Sequence, residues 1–247
     1  MSDAESVIEG DTLEVAVPSD PLAGHPATAY FWGHVAGSGR VVRSEASITD
    51  SERRRCERLE VVTTDEHAAQ VLAAIVGGNV DHETTSREYA HDTSITRTED
   101  EYTLSIDEDS EELLGRTSAL SLPVDGRGNY RFGAFSSHDR ELLRGLLEGC
   151  GTICFKSSSG TVGISFVHDD RTLLEATQEL LADCPIDTAV SELSATSSGG
   201  YWFGVDDAAV PEFGTWLYEG CEATGLFAPS RRRKLERSIA QADSYGE

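Results

Sequence analysis

Little in this chain groups reactive residues in the way catalysis requires. His138-Asp139 and His168-Asp169-Asp170 each set an imidazole beside a carboxylate, a pairing suited to proton transfer. Both stand where a helical pattern begins, so capping of a helix N-terminus is the expected role. Asp107-Glu108-Asp109-Ser110-Glu111-Glu112 has carboxylates enough for calcium, but an EF-hand loop needs glycine at its sixth position, where Glu112 stands. A solvated acidic face is expected there. The five cysteines, Cys56, Cys150, Cys154, Cys184 and Cys221, are odd in number and include no Cys-x-x-Cys. Cys150 and Cys154 could share a metal, yet no histidine or second cysteine pair lies at a matching spacing. Reduced, buried thiols are expected, and no metal. A Gly-rich phosphate loop, a Gly-x-Ser-x-Gly elbow and a zinc-protease motif are all missing, so no cofactor is expected either.

Two basic clusters stand out: Arg53-Arg54-Arg55 with Arg58, and Arg231-Arg232-Arg233-Lys234 with Arg237. Such clusters supply phosphate contacts in nucleic-acid-binding proteins. They could equally pair with surplus acids, or anchor the terminal helix. The surplus is large, with 44 Asp and Glu against 20 Lys and Arg, a net charge of −24. Only Lys156 and Lys234 are lysines. Acidity with so little lysine suits a halophilic, salt-filled cell, because at molar salt the Debye length is about 3 Å and an acidic surface barely repels itself. Such acidity neither excludes nor supports nucleic-acid binding. The 247 residues suffice for one or two domains with a buried core. No apolar run approaches the ~18–20 residues of a membrane span. Asp3, Glu5 and Glu9 occupy a start without basic or apolar signal regions, so a cytoplasmic protein is expected. A membrane protein, an exported disulfide scaffold and a collagen-like chain are excluded.

The elements that must position these residues follow from periodicity. After an acidic, flexible N-terminus over 1–25, a helix is expected from Pro26 to Gly37, with the proline in its first turn. Strands at Val41 to Ile48 and Leu59 to Thr63 flank an arginine-rich loop. Asp65 caps a helix to Val76, with Ala69, Leu72, Ala73 and Val76 on one face. A hairpin of His91 to Arg97 with Tyr102 to Ile106, then a short helix from Ser110 to Gly115, close a first unit over 26–118. A linker over 119–136 contains Leu120 to Gly128. The second unit, 137–247, repeats the order. It has a helix from Asp139 to Gly149 and a hairpin of Thr152 to Lys156 with Val162 to Val167, turning at Ser159-Gly160. A helix capped by Asp170 follows, then a hairpin of Thr188 to Leu193 with Tyr201 to Val205 across Ser198-Gly199-Gly200. Helices at Val210 to Tyr218 and Pro229 to Ala240 complete it.

The order is an internal duplication. Gly33, Gly37 and Gly39 match Gly145, Gly149 and Gly151 at an offset of 112, while the caps Asp65 and Asp170 differ by 105. The difference, 112 minus 105, places seven extra residues in the first hairpin loop. The helix ends read Phe31-Trp32-Gly33-His34-Val35-Ala36-Gly37-Ser38-Gly39 and Leu143-Arg144-Gly145-Leu146-Leu147-Glu148-Gly149-Cys150-Gly151. Glycines at i and i+4 share one helical face and let another backbone approach. Close packing of the two helices through Gly33, Gly37, Gly145 and Gly149 would offset the roughly 0.5–1 kcal/mol that each interior glycine costs. The final glycine of each motif is expected to permit a sharp exit into the strand.

From about Ala27 to Ile239 the chain resembles the LAGLIDADG homing endonucleases in their two-repeat, single-chain form. Leu59 to Asp65 looks like the family's second strand, Phe213 to Tyr218 like a later helix, and Arg231 to Leu235 like its basic C-terminal helix. The resemblance implies an α+β fold of two αββαββα repeats, with the motif helices paired about a pseudo-twofold and two sheets forming a saddle over the DNA major groove. It also implies an acid at the eighth motif position of each copy, holding the metal ions that activate water. Those positions here are Ser38 and Cys150, and a hard Mg²⁺ ion prefers oxygen ligands, usually carboxylates. Glu148, at the sixth position, faces Ala36 in the other copy, so at most one acid remains. If Val41 and Ile153 point to the core, the groove-facing strand residues are Arg40, Val42 and Ser44 with Thr152, Cys154 and Lys156, a short set poor in the paired donors that read bases.

The expectation is therefore a non-cutting, domesticated LAGLIDADG-like protein, monomeric, with DNA-binding and regulatory work in a halophilic cytoplasm. Double-stranded DNA would be held through Arg40, Arg53, Arg54, Arg55, Arg58, Lys156, Arg231, Arg232, Arg233 and Lys234. A protein partner on the same saddle, and a residual endonuclease using Glu148 with a borrowed ligand, are the alternatives.

Overall fold

The computed structural model describes residues 15–20, 22–45, 55–89, 92–106, 130–197 and 199–245. The elements of the first unit are α1 (Pro26–Ser38), β1 (Gly39–Glu45), β2 (Arg55–Thr63), α2 (Glu66–Val76), β3 (Asn79–Tyr89) and β4 (Asp92–Ile106). A 3-10 turn over Phe132–Phe135 leads into the second unit. There α3 (Asp139–Cys150), β5 (Gly151–Lys156), β6 (Thr161–His168), α4 (Arg171–Asp183), β7 (Ser194–Ala195) and β8 (Tyr201–Gly204) follow in the same order. Then come α5 (Val210–Tyr218), α6 (Cys221–Thr224) and α7 (Pro229–Tyr245). The sheets have matching antiparallel orders, β1-β2-β4-β3 and β5-β6-β8-β7. This is the duplication written as topology.

Local chemistry accounts for the boundaries. Asp65 and Asp170 hold the N-termini of α2 and α4, their Oδ1 atoms accepting from the amides of Ala68 at 3.2 Å and Thr172 at 2.9 Å. Each cap takes a second donor through Oδ2, from the Ser230 amide at 2.7 Å and the Tyr130 hydroxyl at 2.8 Å. Helix α1 is buried all round from Ala27 to Gly37 and α3 from Leu142 to Glu148, as expected of helices at the centre of a core. Ile153, Ile164, Phe166 and Phe203 from the second sheet, and Leu59, Val61, Leu104 and Ile106 from the first, line the same core. Val15 and Val17 of the N-terminal segment are buried against it.

Four readings of the sequence change. Gly39 and Gly151 leave their helices with extended backbones, φ −79° and −89°, so no left-handed turn makes the exit. Glycine is required there because a Cβ would run into the Val35 or Leu147 carbonyl. The segments His91 to Arg97 and Tyr102 to Ile106 fall, as far as they are described, in one strand, β4, whose partner is Asn79–Tyr89. That partner is polar along nearly its whole length and exposed over Asn79 to Thr84, so neither face carries the apolar alternation that signals a half-buried strand. Thr188 to Leu193 contributes only the bridge Val190 to Val205, and the pairing segment is the two-residue β7. His138 begins α3 without capping it, because its Nε2 faces the Gly24 carbonyl at 3.1 Å. The acidic run 107–112, the helix expected over 110–115 and the linker expected over 120–128 lie outside the described residues.

Candidate functional site

The motif helices α1 and α3 meet backbone to backbone. A Cβ on Gly33 would run into the Leu142 carbonyl oxygen and stand 2.9 Å from the Leu146 amide; one on Gly145 would meet the Tyr30 carbonyl and stand 2.9 Å from the His34 amide. One turn on, a Cβ at Gly37 or Gly149 would lie 3.2 Å from the Cα of the other. The axis of the molecule runs through these four glycines.

Polar groups also collect on this axis, and of these only Glu148 stands out from the motif. Its carboxylate is fully buried. Oε2 accepts from the Tyr30 hydroxyl at 2.6 Å and lies 3.3 Å from His34 Nε2; Oε1 accepts from the Ala228 amide at 2.9 Å. Arg144, one turn before, is also buried and donates to the Leu217 and Leu226 carbonyls, both at 2.8 Å. Its guanidinium stands 5.9 Å from the Tyr218 ring centre. Burial, reinforced by Glu148, holds the Tyr30 and Tyr218 hydroxyls well above the ordinary phenol range. Glu148 and Arg144 thus anchor the segment after α5 onto both motif helices.

The eighth positions sit at the ends of these helices. Ser38 Oγ donates back to the His34 carbonyl at 3.2 Å, and Cys150 Sγ to the Leu146 carbonyl at 3.4 Å. Burial pushes the Cys150 thiol up to about 12, so it stays protonated at neutral pH. Among the described residues no three His, Cys, Asp or Glu side chains converge where a metal could sit.

On the first sheet, register places Arg40, Val42, Arg58, Glu60, Asp81, Glu83 and Glu101 on the face away from the core. Both arginines are engaged by one carboxylate, Arg40 to Glu60 at 2.8 Å and Arg58 to Glu60 at 3.2 Å. The corresponding face of the second sheet carries Thr152, Cys154, Lys156, Thr161, Ser165, Val167 and Trp202. Lys156 is bound to Asp207 at 2.6 Å. Arg53 and Arg54 lie outside the described residues; Arg55 opens β2 opposite Glu45, and the side chains of Arg55 and Ser44 are likewise outside the description.

The terminal cations stand at the start of α7. Phe155, on the core side of β5 with Ile153, meets Tyr245 at 5.9 Å between ring centres, so the end of α7 covers the side of the sheet opposite Thr152, Cys154 and Lys156. Arg232 is bound to Glu222 and, at 2.9 Å, to Glu236. Arg231 is half-buried, whereas Arg233 and Lys234 are exposed.

A family model, LAGLIDADG_4, described as "Putative archaeal homing endonuclease", matches residues 7–245. The chain belongs to the LAGLIDADG_4 family. Among solved structures it is similar to the I-LtrWI LAGLIDADG homing endonuclease bound to target DNA, with 11% identity, a TM-score of 0.51 and coverage of 88% of this chain and 90% of that one. It is also similar to I-DmoI in complex with DNA and Mn (13%, TM-score 0.48, 79% of this chain and 97% of that one). The N-terminal LAGLIDADG domain of DUF199/WhiA matches with 14% identity and a TM-score of 0.45 over 82% of each chain. No curated protein sequence matches. In this LAGLIDADG protein the paired motif helices are α1 and α3, and the two sheets hang from them. No described helix is long and apolar enough to cross a membrane.

Proposed function

We propose that this chain is a domesticated LAGLIDADG protein that has lost strand cleavage and binds double-stranded DNA in a regulatory role, as a monomer with an internal pseudo-twofold. The single observation carrying the loss of cleavage is the state of the axis. The serine and thiol at the eighth positions bond back to their own helices, and the one nearby carboxylate, Glu148, is buried under three partners. A hard divalent cation needs oxygen ligands, commonly carboxylates, and these residues do not fit one.

DNA binding rests on the family and on the saddle of two sheets. Phosphates would compete with Glu60 for Arg40 and Arg58 and with Asp207 for Lys156, which supports modest affinity and weak discrimination between sites. Arg53, Arg54 and Arg55 are assigned to phosphate contact on sequence grounds. Arg231, Arg232, Arg233 and Lys234 are likewise assigned to phosphate contact on sequence grounds, with Arg232 held by Glu222 and Glu236. The net charge of −24 fits a halophilic cytoplasm. A second reading, a protein partner with a basic surface, is favoured by the carboxylates on the outward face of the first sheet.

The test is supercoiled plasmid with Mg²⁺ or Mn²⁺, alongside duplex binding across a salt series for wild type and an Arg53/Arg54/Arg55→Ser variant. No nicking is expected, with duplex binding that weakens in the variant. Metal-dependent nicking that follows the protein peak through successive columns would overturn the first half. Absence of duplex binding at every salt where the protein is folded would remove the second and leave the protein partner.

A further inference from the structure

The outward faces of the two sheets differ in chemistry although their topology is the same. On the first, among the residues whose side chains are described, Glu60, Asp81, Glu83, Glu99 and Glu101 outnumber Arg40 and Arg58. On the second, the only ionisable strand residues are Cys154 and Lys156, in a chain of net charge −24. Val167 and Trp202, register partners at its centre, are 43% and 40% exposed. The matching pair on the first sheet is Val62 and Thr103. Among the residues whose side chains are described, a large aromatic therefore stands on the outward face of the second sheet only.

Beside Trp202 is a cavity of about 380 Å³ lined by Lys156, Val190, Ser191, Gly204 and Asp207, among others. That volume is at the lower end of the range of small-ligand pockets. Gly204, two residues from Trp202 on the same face, leaves the space beside the ring open; a Cβ there would touch Trp202 Cζ3 at an ordinary 3.7 Å. Polar groups stand around the apolar wall. Ser191 Oγ is fixed by the Gly204 amide at 2.9 Å, and Asp207 is held by Lys156 and by Thr161 at 2.7 Å. The Lys156 to Asp207 pair cancels its own charge, so the site asks for a flat, neutral, polar-edged group.

We infer that Trp202 and the cavity beside it receive an unstacked nucleobase, so that the second repeat holds a single-stranded or locally opened segment by stacking. The inference rests on the nucleic-acid reading above and narrows it to one half of the saddle and one kind of contact. Bases stacked inside a duplex cannot reach the ring, so the site discriminates by strand state and not by sequence. Stacking is also the contact that survives concentrated salt, where counterion release from phosphates gives little driving force.

Tryptophan fluorescence reads this directly, because Trp32 is buried and Trp216 is half-covered beneath Arg140. The probes are an oligothymidylate of about 12 nucleotides, within the span of single-strand binding sites, its abasic counterpart, and a duplex. Quenching is expected with the oligothymidylate and not with the abasic strand. Trp202→Ala, and Gly204→Val that fills the space beside the ring, should each weaken oligothymidylate binding by about 5- to 150-fold. Trp202→Phe should lose less. Neither position is in the core, and the wild-type comparison of normal and abasic strands needs no variant. Duplex binding without quenching and unchanged in Trp202→Ala would overturn this inference and leave the proposed function standing. Binding to neither strand state would overturn both.

Discussion

Substituting Gly145 by alanine should be among the most damaging single-methyl changes this protein can suffer. On an exposed helix the same change would gain roughly 0.5–1 kcal/mol from backbone entropy. Here the added carbon meets the Tyr30 carbonyl oxygen and lies 2.9 Å from the His34 amide and 3.1 Å from Gly33 Cα, all backbone atoms of a helix that cannot turn aside. Restoring a normal carbon contact of about 3.5 Å requires the helices to part by roughly 1 Å. That movement stretches the 2.6 Å bond from Tyr30 to Glu148 and the 3.3 Å approach of His34, both of which cross the same interface. Overpacking costs about 1–3 kcal/mol, and a buried hydrogen bond to a charged group adds roughly 1.5–3, so a net loss centred on about 3 kcal/mol is expected after the helix gain. For a protein of this size that lowers Tm by about 6–12 °C. Gly133 serves as the control, since nothing lies within 4 Å of a Cβ there. Thermal and urea unfolding of Gly145→Ala, Gly133→Ala and wild type measure the difference. A Gly145→Ala protein melting within about 2 °C of wild type, no worse than Gly133→Ala, would refute the backbone-to-backbone axis.

Glu148→Gln should destabilise by about 1–3 kcal/mol, because an amide cannot accept at both ends and must turn its NH2 toward either the Ala228 amide or the Tyr30 hydroxyl; equilibrium unfolding checks it. Arg144→Met should free the Leu217 and Leu226 carbonyls, and hydrogen exchange over the segment between them should rise by more than tenfold while α1 stays protected. At pH 8 an alkylating reagent should label exposed Cys154 in the native protein and spare Cys150, whose thiol is pushed up to about 12, as peptide mapping would reveal. The same shift sets an alkaline limit. The folded state keeps protons on Cys150 and Tyr30 that the unfolded chain loses above about pH 9 and 10 respectively. Stability should therefore be complete below pH 9 and fall as pH rises toward 12, at about 1.4 kcal/mol per pH unit for each group released. A flat denaturation midpoint from pH 8 to 11 would contradict it.

The duplication, the motif glycines and the Asp65 and Asp170 caps were legible because each leaves a periodic or positional mark in the chain. The β3 to β4 hairpin was not, because exposure of much of β3 removes the alternation that reports a buried face. Around the site, Ser38, Cys150 and Glu148 could be placed by counting along the motif. What Glu148 does there could not, since Tyr30, His34 and Ala228 come to it across 118, 114 and 80 residues of sequence. The pairing of Arg40 and Arg58 with Glu60 needed strand register, which a basic cluster read from sequence does not contain. Trp202 was visible only as a strand residue; its exposure depends on which face the sheet turns outward.

The stitching of the C-terminal segment has a consequence for how the molecule is made. Ser230 bonds to the cap of α2, Gly225 to His67 on that helix, and Ala228 to the axis between the repeats. The ribosome delivers Ser230 165 residues after Asp65, when most of the first repeat is already outside the exit tunnel. The first repeat must wait for this stretch of chain before the Asp65 carboxylate and the His67 ring gain their distant partners. The two repeats therefore resemble each other in architecture but are unequal in time, and dividing the gene between them would yield a first half that lacks its own fastening.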